Sequence, residues 1–534
     1  MKLIQNIYYR ISSNVIIAAL SFIASVVVIR TFGAEIVGTI AYYMSIFSVI
    51  TCICDLGLSN AFIKFTADEK IEENALIFAY LSLKTILVAT YFLLGASVIV
   101  YFDDVDQKLM LIFFVTFFIR SAFKEPFFKM RMAKRDFKTI SLVELISNSI
   151  IFIYTITVCL FFQNIYLLSL KLLLIYIIEI LVISIIIFRE KKLIFKFPDW
   201  QVIKKYINFS LPFALTTFIS SLVANIDKLI IGNMIGMKEL GFYDIAKRLF
   251  APVELLIKPI STTLYPEVLK RMVSKQDFFY TEFREIVHTL TSIAGIITIC
   301  MFFLSYPIVK IVYGQENLRA AFILVFFSGI CIAKFFLRPY HHIIHGLELQ
   351  YIYPYLTVAS SLIRISGYLL LIPIVIFDIQ IGAIAIPIVN TLTWFFPAGI
   401  VIWSKIRKKY NKTHIFETIT KIFIPLFVLL FAGYQLNYHI YFFYFGLIAF
   451  IMIQIHFKII TKSKLTFIFQ PILSVYNKLL DKGRCHSIIF YWTAITIICF
   501  FFFQWYSISF RLYNIPCPIG LSDSDLYIFI FLAI

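Results

Sequence analysis

Gly33-Ala34-Glu35-Ile36-Val37-Gly38 separates two long apolar stretches, and it returns 203 residues later as Gly236-Met237-Lys238-Glu239-Leu240-Gly241. Each copy spaces its glycines by four residues, carries an acid between them and precedes an aromatic pair, Tyr42-Tyr43 or Phe242-Tyr243. Chance supplies Gly-x4-Gly often. The weight comes from the matching place of both copies in the hydropathy plan. Six apolar stretches lie from one copy to the next, an even number, so the copies share one orientation. That is a parallel repeat with a pseudo-two-fold axis along the membrane normal, an architecture in which transporters hold substrate between the halves.

A helix needs about 20 apolar residues to cross a bilayer core. The sequence predicts fourteen spans before residue 460: 11–29, 39–63, 76–101, 109–128, 142–162, 166–188, 206–231, 241–264, 286–305, 319–337, 352–377, 382–403, 416–434 and 440–457. A fifteenth covers 487–505. The expected fold is an all-α integral membrane protein of two six-helix lobes, 1–188 and 206–403, joined by a basic linker at 189–205. Spans 13 and 14 (404–460) and an extension (461–534) follow. The first apolar stretch ends without a small-residue cleavage pattern and reads as a retained span.

Composition agrees. The 534 residues are 61% hydrophobic and only 15% charged, with mean hydropathy +0.91. A soluble domain carries roughly 25% charged residues, so a soluble enzyme, a disordered chain and a disulfide-stapled domain are excluded. The net charge of +18 could signal nucleic acid, but its distribution argues otherwise. With the N-terminus in the cytoplasm, 34 of the 48 Lys and Arg fall in inner segments and 5 in outer ones. That asymmetry is the retention of basic loops on the cytoplasmic side. The expected location is the inner (cell) membrane, multi-pass, with no nucleic-acid partner.

Charges within spans carry the functional signal, because a charge facing lipid costs several kcal/mol. Span 8 holds Asp244, Lys247, Arg248, Glu254 and Lys258, all within an arc of about 120°. Pro252 and Pro259 interrupt it and are read as hinges. Asp244 with Arg248 and Glu254 with Lys258 are i,i+4 pairs, which leaves Lys247 over. Arg364 sits near mid-span with no acid within a turn, so another helix, water or an anion must satisfy it. Lys84 in span 3 is similar, or snorkels. Asp55, Asp227 and Glu179, with Asp244 and Glu254, are acids that either titrate during transport or form fixed helix contacts. An excess of basic groups suits a substrate with an anionic group such as phosphate.

Other motifs are weak. Six of the eight cysteines lie in apolar stretches, and Cys52-x-Cys54 is not a spaced metal pair. His341-His342-x-x-His345 lacks a glutamate or cysteine partner and reads as interfacial. No phosphate loop or GxSxG occurs, and neither metal nor cofactor is expected.

The stretch 29–38, followed by Asp55-Leu56-Gly57-Leu58-Ser59-Asn60-Ala61, resembles the opening of polysaccharide-biosynthesis flippases. Asn225-Ile226-Asp227-Lys228-Leu229-Ile230-Ile231-Gly232 with Gly241-Phe242-Tyr243, Tyr313-Gly314-Gln315-Glu316 and Ile381-Gly382-Ala383-Ile384-Ala385 fit as well. Over residues 1–460 the chain resembles the Wzx-type group of the multidrug/oligosaccharidyl-lipid/polysaccharide (MOP) exporter superfamily. The resemblance implies two six-helix lobes around a cationic cavity. It implies flipping of an undecaprenyl-diphosphate-linked oligosaccharide for surface polysaccharide (O-antigen, lipopolysaccharide or capsule), coupled to a proton or sodium gradient. From the pathway it implies a polymerase and a chain-length regulator as partners. Lys84, Lys247, Arg248 and Arg364 are the cavity cations it points to. Residues 485–534 exceed the family pattern. Two other readings stand beside it: a cation or drug exporter of the superfamily, which would favour acids in the cavity, and a membrane polymerase or glycosyltransferase, which would need a sizeable outer loop.

Overall fold

A computed structural model describes residues 2–67, 73–101, 106–190, 200–254, 279–346, 353–373, 375–376, 379–380, 382–401, 419–435, 446–451 and 453–454. The fifteenth expected span, the basic stretch before it, Lys258 and Pro259 lie outside these residues.

Helix occurs at each of the fourteen positions expected before residue 460. The helices are α1 (Lys2–Thr51), α2 (Leu58–Ala67), α3 (Glu73–Tyr101), α4 (Gln107–Ile119), α5 (Glu125–Ala133), α6 (Phe137–Thr157), α7 (Ile165–Glu190) and α8 (Trp200–Met234). They continue with α9 (residues 237–254), α10 (Phe279–Tyr313), α11 (Leu318–Gly346), α12 (Tyr353–Leu371), α13 (Ala385–Val401) and α14 (Ile424–Gln435). Residues 446–451 are helical too. Strand among the described residues is confined to one short hairpin, Val375–Ile376 against Ile379–Gln380. The protein is an all-α membrane protein.

Six described helical stretches are long and apolar enough to cross a bilayer, and three shorter apolar ones follow. The expected spans differ in continuity for local reasons. The first two run as one helix broken only at Gly33 (φ 75°, ψ 173°). The second span breaks again at residues 52–57, and α4 passes into a π turn at Arg120–Lys124 before α5. Helix starts are capped as their sequences dictate. Asp106 accepts the amides of Lys108 and Leu109 at 3.1 and 3.2 Å, and Asp136 accepts that of Thr139 at 3.2 Å. Leu93, Val100 and Phe161 are among the large apolar side chains left outside, where lipid replaces water as their solvent.

The repeat becomes a contact. Gly33 and its equivalent Gly236 both take positive φ, 75° and 126°, which costs glycine little. Beyond these turns the two copies press together. A Cβ on Gly38 would lie 1.8 Å from the Met237 carbonyl oxygen, and one on Gly241 would lie 1.8 Å from that of Ala34. At the offset of 203, Ala34 is the equivalent of Met237 and Gly38 that of Gly241. The contact is therefore reciprocal, as a two-fold axis requires. Tyr42 reinforces it: its ring covers Gly232 and its hydroxyl donates to Asn233 Oδ1 at 2.7 Å. Arg30 donates to the carbonyls of Ile311 and of Val312, the latter at 2.8 Å. Tyr42→Phe keeps the ring and removes one hydrogen bond, so unfolding free energy should fall by about 1 kcal/mol. A thermal melt in detergent checks it, and an unchanged melt would remove that bond from the contact.

The helices after α13 dock on α10. Ile422, Leu426, Leu429 and Phe450 bury against Ile299 and Phe303. Ser292 donates to Gln454, whose amide donates to the Lys421 carbonyl at 3.2 Å.

Candidate functional site

Asp227 and Lys228 are consecutive on α8, and both reach α9. Asp227 Oδ2 accepts from Tyr243 Oη at 2.5 Å and from Lys247 Nζ at 3.0 Å. Lys228 Nζ lies 3.1 Å from Asp244 Oδ1, and Arg248 Nε donates to Asp244 Oδ2 at 2.7 Å. The i,i+4 pair expected between Asp244 and Arg248 is present. Lys247, left over by spacing alone, has its partner on the preceding helix. Burial is one-sided. The side chains of Asp227 and Asp244 are 6% and 7% exposed, whereas those of Lys247 and Arg248 are 39% and 43% exposed. The acids are sunk between the helices as fasteners, and the cations form the accessible surface. An approaching solute meets positive charge.

The same surface extends along α11 and α13. Glu254 pairs with Lys334 of α11, and the partner expected from spacing on its own helix, Lys258, lies outside the described residues. Lys334 Nζ and the Arg338 guanidinium lie 6.0 and 5.9 Å from the Trp394 ring. Arg364 of α12 donates from Nε to Thr393 Oγ1 at 3.1 Å. Among the described residues no carboxylate pairs with it. One turn on, Tyr368 donates to Asn390 Oδ1 at 2.7 Å. Among the described residues this surface thus brings Lys228, Lys247, Arg248, Lys334, Arg338 and Arg364 together with Asp227, Asp244 and Glu254. Sequence reading missed Trp394, Lys334 and Arg338, since nothing local distinguishes them from interfacial residues. Lys171 of α7 lies within electrostatic range of Arg248 and Asp244.

The repeat sharpens this. At the offset of 203, Asp227, Lys228, Asp244, Lys247 and Arg248 correspond to Ala24, Ser25, Ala41, Met44 and Ser45. One copy of the repeat is charged where the other is small or apolar. The charges are therefore not demanded by the shared packing.

Lys84 joins a different cluster. Its side chain is 2% exposed, and its Nζ lies 3.0 Å from Glu125 Oε2 and 3.6 Å from Asp55 Oδ1. Arg120 Nε lies 3.2 Å from Glu125 Oε1. Glu179 is paired with Lys124 at 2.7 Å and accepts from Ser147 at 3.3 Å. Charges here balance one to one, unlike those of α8–α13. Helix α9 runs through Pro252 to residue 254. Among the described residues no group of three or more His, Cys, Asp or Glu is placed to hold a metal ion.

The sequence profile of the family described as polysaccharide biosynthesis protein matches residues 27–322, more than half of the chain. The chain belongs to the polysaccharide biosynthesis protein family. Its fold is similar to that of a solved structure of lipid II flippase MurJ in an inward closed conformation. The TM-score is 0.64 at 15% identity, covering 88% of this chain and 100% of that one. It is also similar to an inward-facing multidrug resistance MATE family transporter of the MOP superfamily, with TM-score 0.58 and 14% identity over 74% of this chain and 96% of that one. Among curated proteins, none matches the sequence significantly. This polysaccharide biosynthesis protein thus has the MOP transporter fold, and the resemblance read from its motifs holds for family and fold.

Proposed function

We propose that this protein is a flippase that carries an undecaprenyl-diphosphate-linked oligosaccharide from the cytoplasmic to the outer leaflet for surface polysaccharide assembly. The observation that carries this reading is the basic surface of α8–α13, with Asp227 and Asp244 buried and, among the described residues, no carboxylate on Arg364. A diphosphate is the group that such a surface stabilises best, through charge-assisted hydrogen bonds. Lys247, Arg248 and Arg364 hold it, and half-buried polar neighbours such as Asn390 meet the sugars. The lipid tail remains in the bilayer. Lobes 1–188 and 206–403 rock about each other, with Pro252 and Pro259 as flexible points, and no covalent step is needed. The family match and the fold of a lipid II flippase support this reading. In this proposal the protein lies in the inner membrane with its N-terminus cytoplasmic, and hands its cargo to a polymerase and a chain-length regulator.

A cation or drug exporter would need carboxylates open to the solute. Asp227, Asp244 and Glu254 are each already paired with a cation, which disfavours that reading. Flipping of a fluorescent undecaprenyl-diphosphate oligosaccharide in proteoliposomes tests the proposal, and a folded, energised protein that moves none would sink it.

Glu254→Gln frees Lys334 without altering its position. Inorganic pyrophosphate should then bind more tightly by about 1 kcal/mol, roughly fivefold. Titration calorimetry reads this, and weaker binding would mean that Lys334 stands outside the anion's field.

A further inference from the structure

The basic surface of α8–α13 carries an aromatic ring for which a diphosphate has no use. Trp394 stands midway along Ala385–Val401, whereas tryptophans anchored in lipid gather at the two membrane interfaces. It is half-buried, and α11 supplies its charged neighbours. Lys334 Nζ lies 6.0 Å and the Arg338 guanidinium 5.9 Å from the indole, within the range of cation–π attraction. Lys334 and Arg338 are one helical turn apart, so they share a face of α11. Lys334 Nζ is also 6.0 Å from the ring of the buried Phe250. Glu254, with 44% of its side chain exposed, holds the same ammonium.

An aromatic face beside directed polar groups suits a pyranose. One side of a sugar ring is lined by C–H groups, which fit the negative face of an indole. Its rim carries the groups that hydrogen-bond. Here the rim would meet lysine and arginine, which donate and cannot accept. Glu254, the neighbouring acceptor, is already held by Lys334. Charged donors are matched best by a charged acceptor, because such bonds are about twice as strong as neutral ones. A carboxylate also presents two oxygens to the planar guanidinium fork. The place is right as well. Trp394 follows Thr393, which accepts from Arg364 at 3.1 Å. In a diphosphate-linked oligosaccharide the sugars begin where the diphosphate ends, so a sugar site must adjoin the anion site.

We propose that Trp394, Lys334 and Arg338 form a sugar subsite beside the anion site, and that it takes a carboxylated sugar such as a hexuronate. The indole stacks on the sugar ring, Arg338 grips the carboxylate and Lys334 adds a second positive charge. The cargo then carries negative charge in its sugars as well as in its diphosphate. That this sugar is part of a transported oligosaccharide rests on the flippase reading above. Binding of an acidic sugar at Trp394 does not.

Saturation-transfer NMR on the full-length protein in nanodiscs tests the subsite with methyl glucuronide, methyl glucoside and acetate as probes. Wild type should bind the glucuronide about tenfold more tightly than the glucoside, the effect of one charge-assisted hydrogen bond. It should also bind it more tightly than acetate, which has no ring to stack. Saturation should concentrate on the C–H protons of one sugar face. Trp394→Ala should remove that pattern and bring the glucuronide to the level of acetate. Trp394→Phe keeps an aromatic face and should keep part of the pattern, which answers the question even where the alanine variant folds badly. Arg338→Gln should bring the glucuronide down to the level of the glucoside and leave the stacking pattern in place. Equal binding of glucuronide and glucoside by wild type overturns the proposal, as does a preference that survives in both Trp394→Ala and Arg338→Gln. In proteoliposomes, wild type should move a diphosphate-linked oligosaccharide that contains a uronate several-fold faster than its neutral counterpart. A wild type that prefers glucuronide yet moves neither oligosaccharide sinks the flippase reading and leaves the subsite standing. One that moves both alike and shows no preference for glucuronide overturns the subsite and leaves the flippase reading.

Discussion

Arg364→Ala should slow flipping of the diphosphate-linked oligosaccharide by about ten- to a hundredfold while leaving the fold intact. A hydrogen bond to a charged group contributes about 1.5–3 kcal/mol, and each 1.4 kcal/mol is about tenfold in rate. The fold tolerates the change because the side chain's described bond is the one to Thr393, and that hydroxyl also bonds the Asn390 carbonyl at 2.9 Å. Arg364→Lys should recover part of the activity, since it keeps the charge and loses the planar fork that grips two phosphate oxygens. Flipping rates in proteoliposomes, with melting curves alongside, decide it. Full transport by the alanine variant would remove Arg364 from the anion's path.

Gly241→Val should have the largest effect on stability. The first atom added would lie 1.8 Å from the Ala34 carbonyl oxygen and 2.5 Å from its carbon. These are backbone atoms of a helix and cannot swing aside as a side chain can. Overpacking costs about 1–3 kcal/mol when side chains can give way, and here about 3 kcal/mol or a separation of the two repeat copies is expected. Gly38→Val should behave alike, because the contact is reciprocal. Melting in detergent checks the cost. Spin labels at the exposed residues Glu35 and Lys238 would show the separation. A variant with unchanged melting and unchanged label distance would mean that the two turns do not touch.

The candidate site was legible in part. Arg364 drew attention because its own helix offers no acid, and it remains without one among the described residues. The partner of Lys247 was not legible, because spacing shows only neighbours on one helix and Asp227 lies on the preceding one. Lys84 and Arg364 looked alike in sequence, each a lone cation in an apolar span. In the folded chain one is buried between two carboxylates and the other is half-buried beside a threonine.

What the sequence determined by itself is the set of helices, the glycine turns at 33 and 236 and the repeat. Each is a local property: about 20 apolar residues make a span, a glycine with positive φ interrupts it, and two copies at one offset must share one backbone plan. What only the tertiary structure decided is which charges meet. Asp227 and Lys247 are 20 positions apart, and Glu254 and Lys334 are 80. Partnerships over such separations depend on the rotation of each helix about its own axis, and packing of whole faces sets that rotation. Burial follows from the same rotations, and it sank Asp227 and Asp244 while leaving Lys247 and Arg248 accessible.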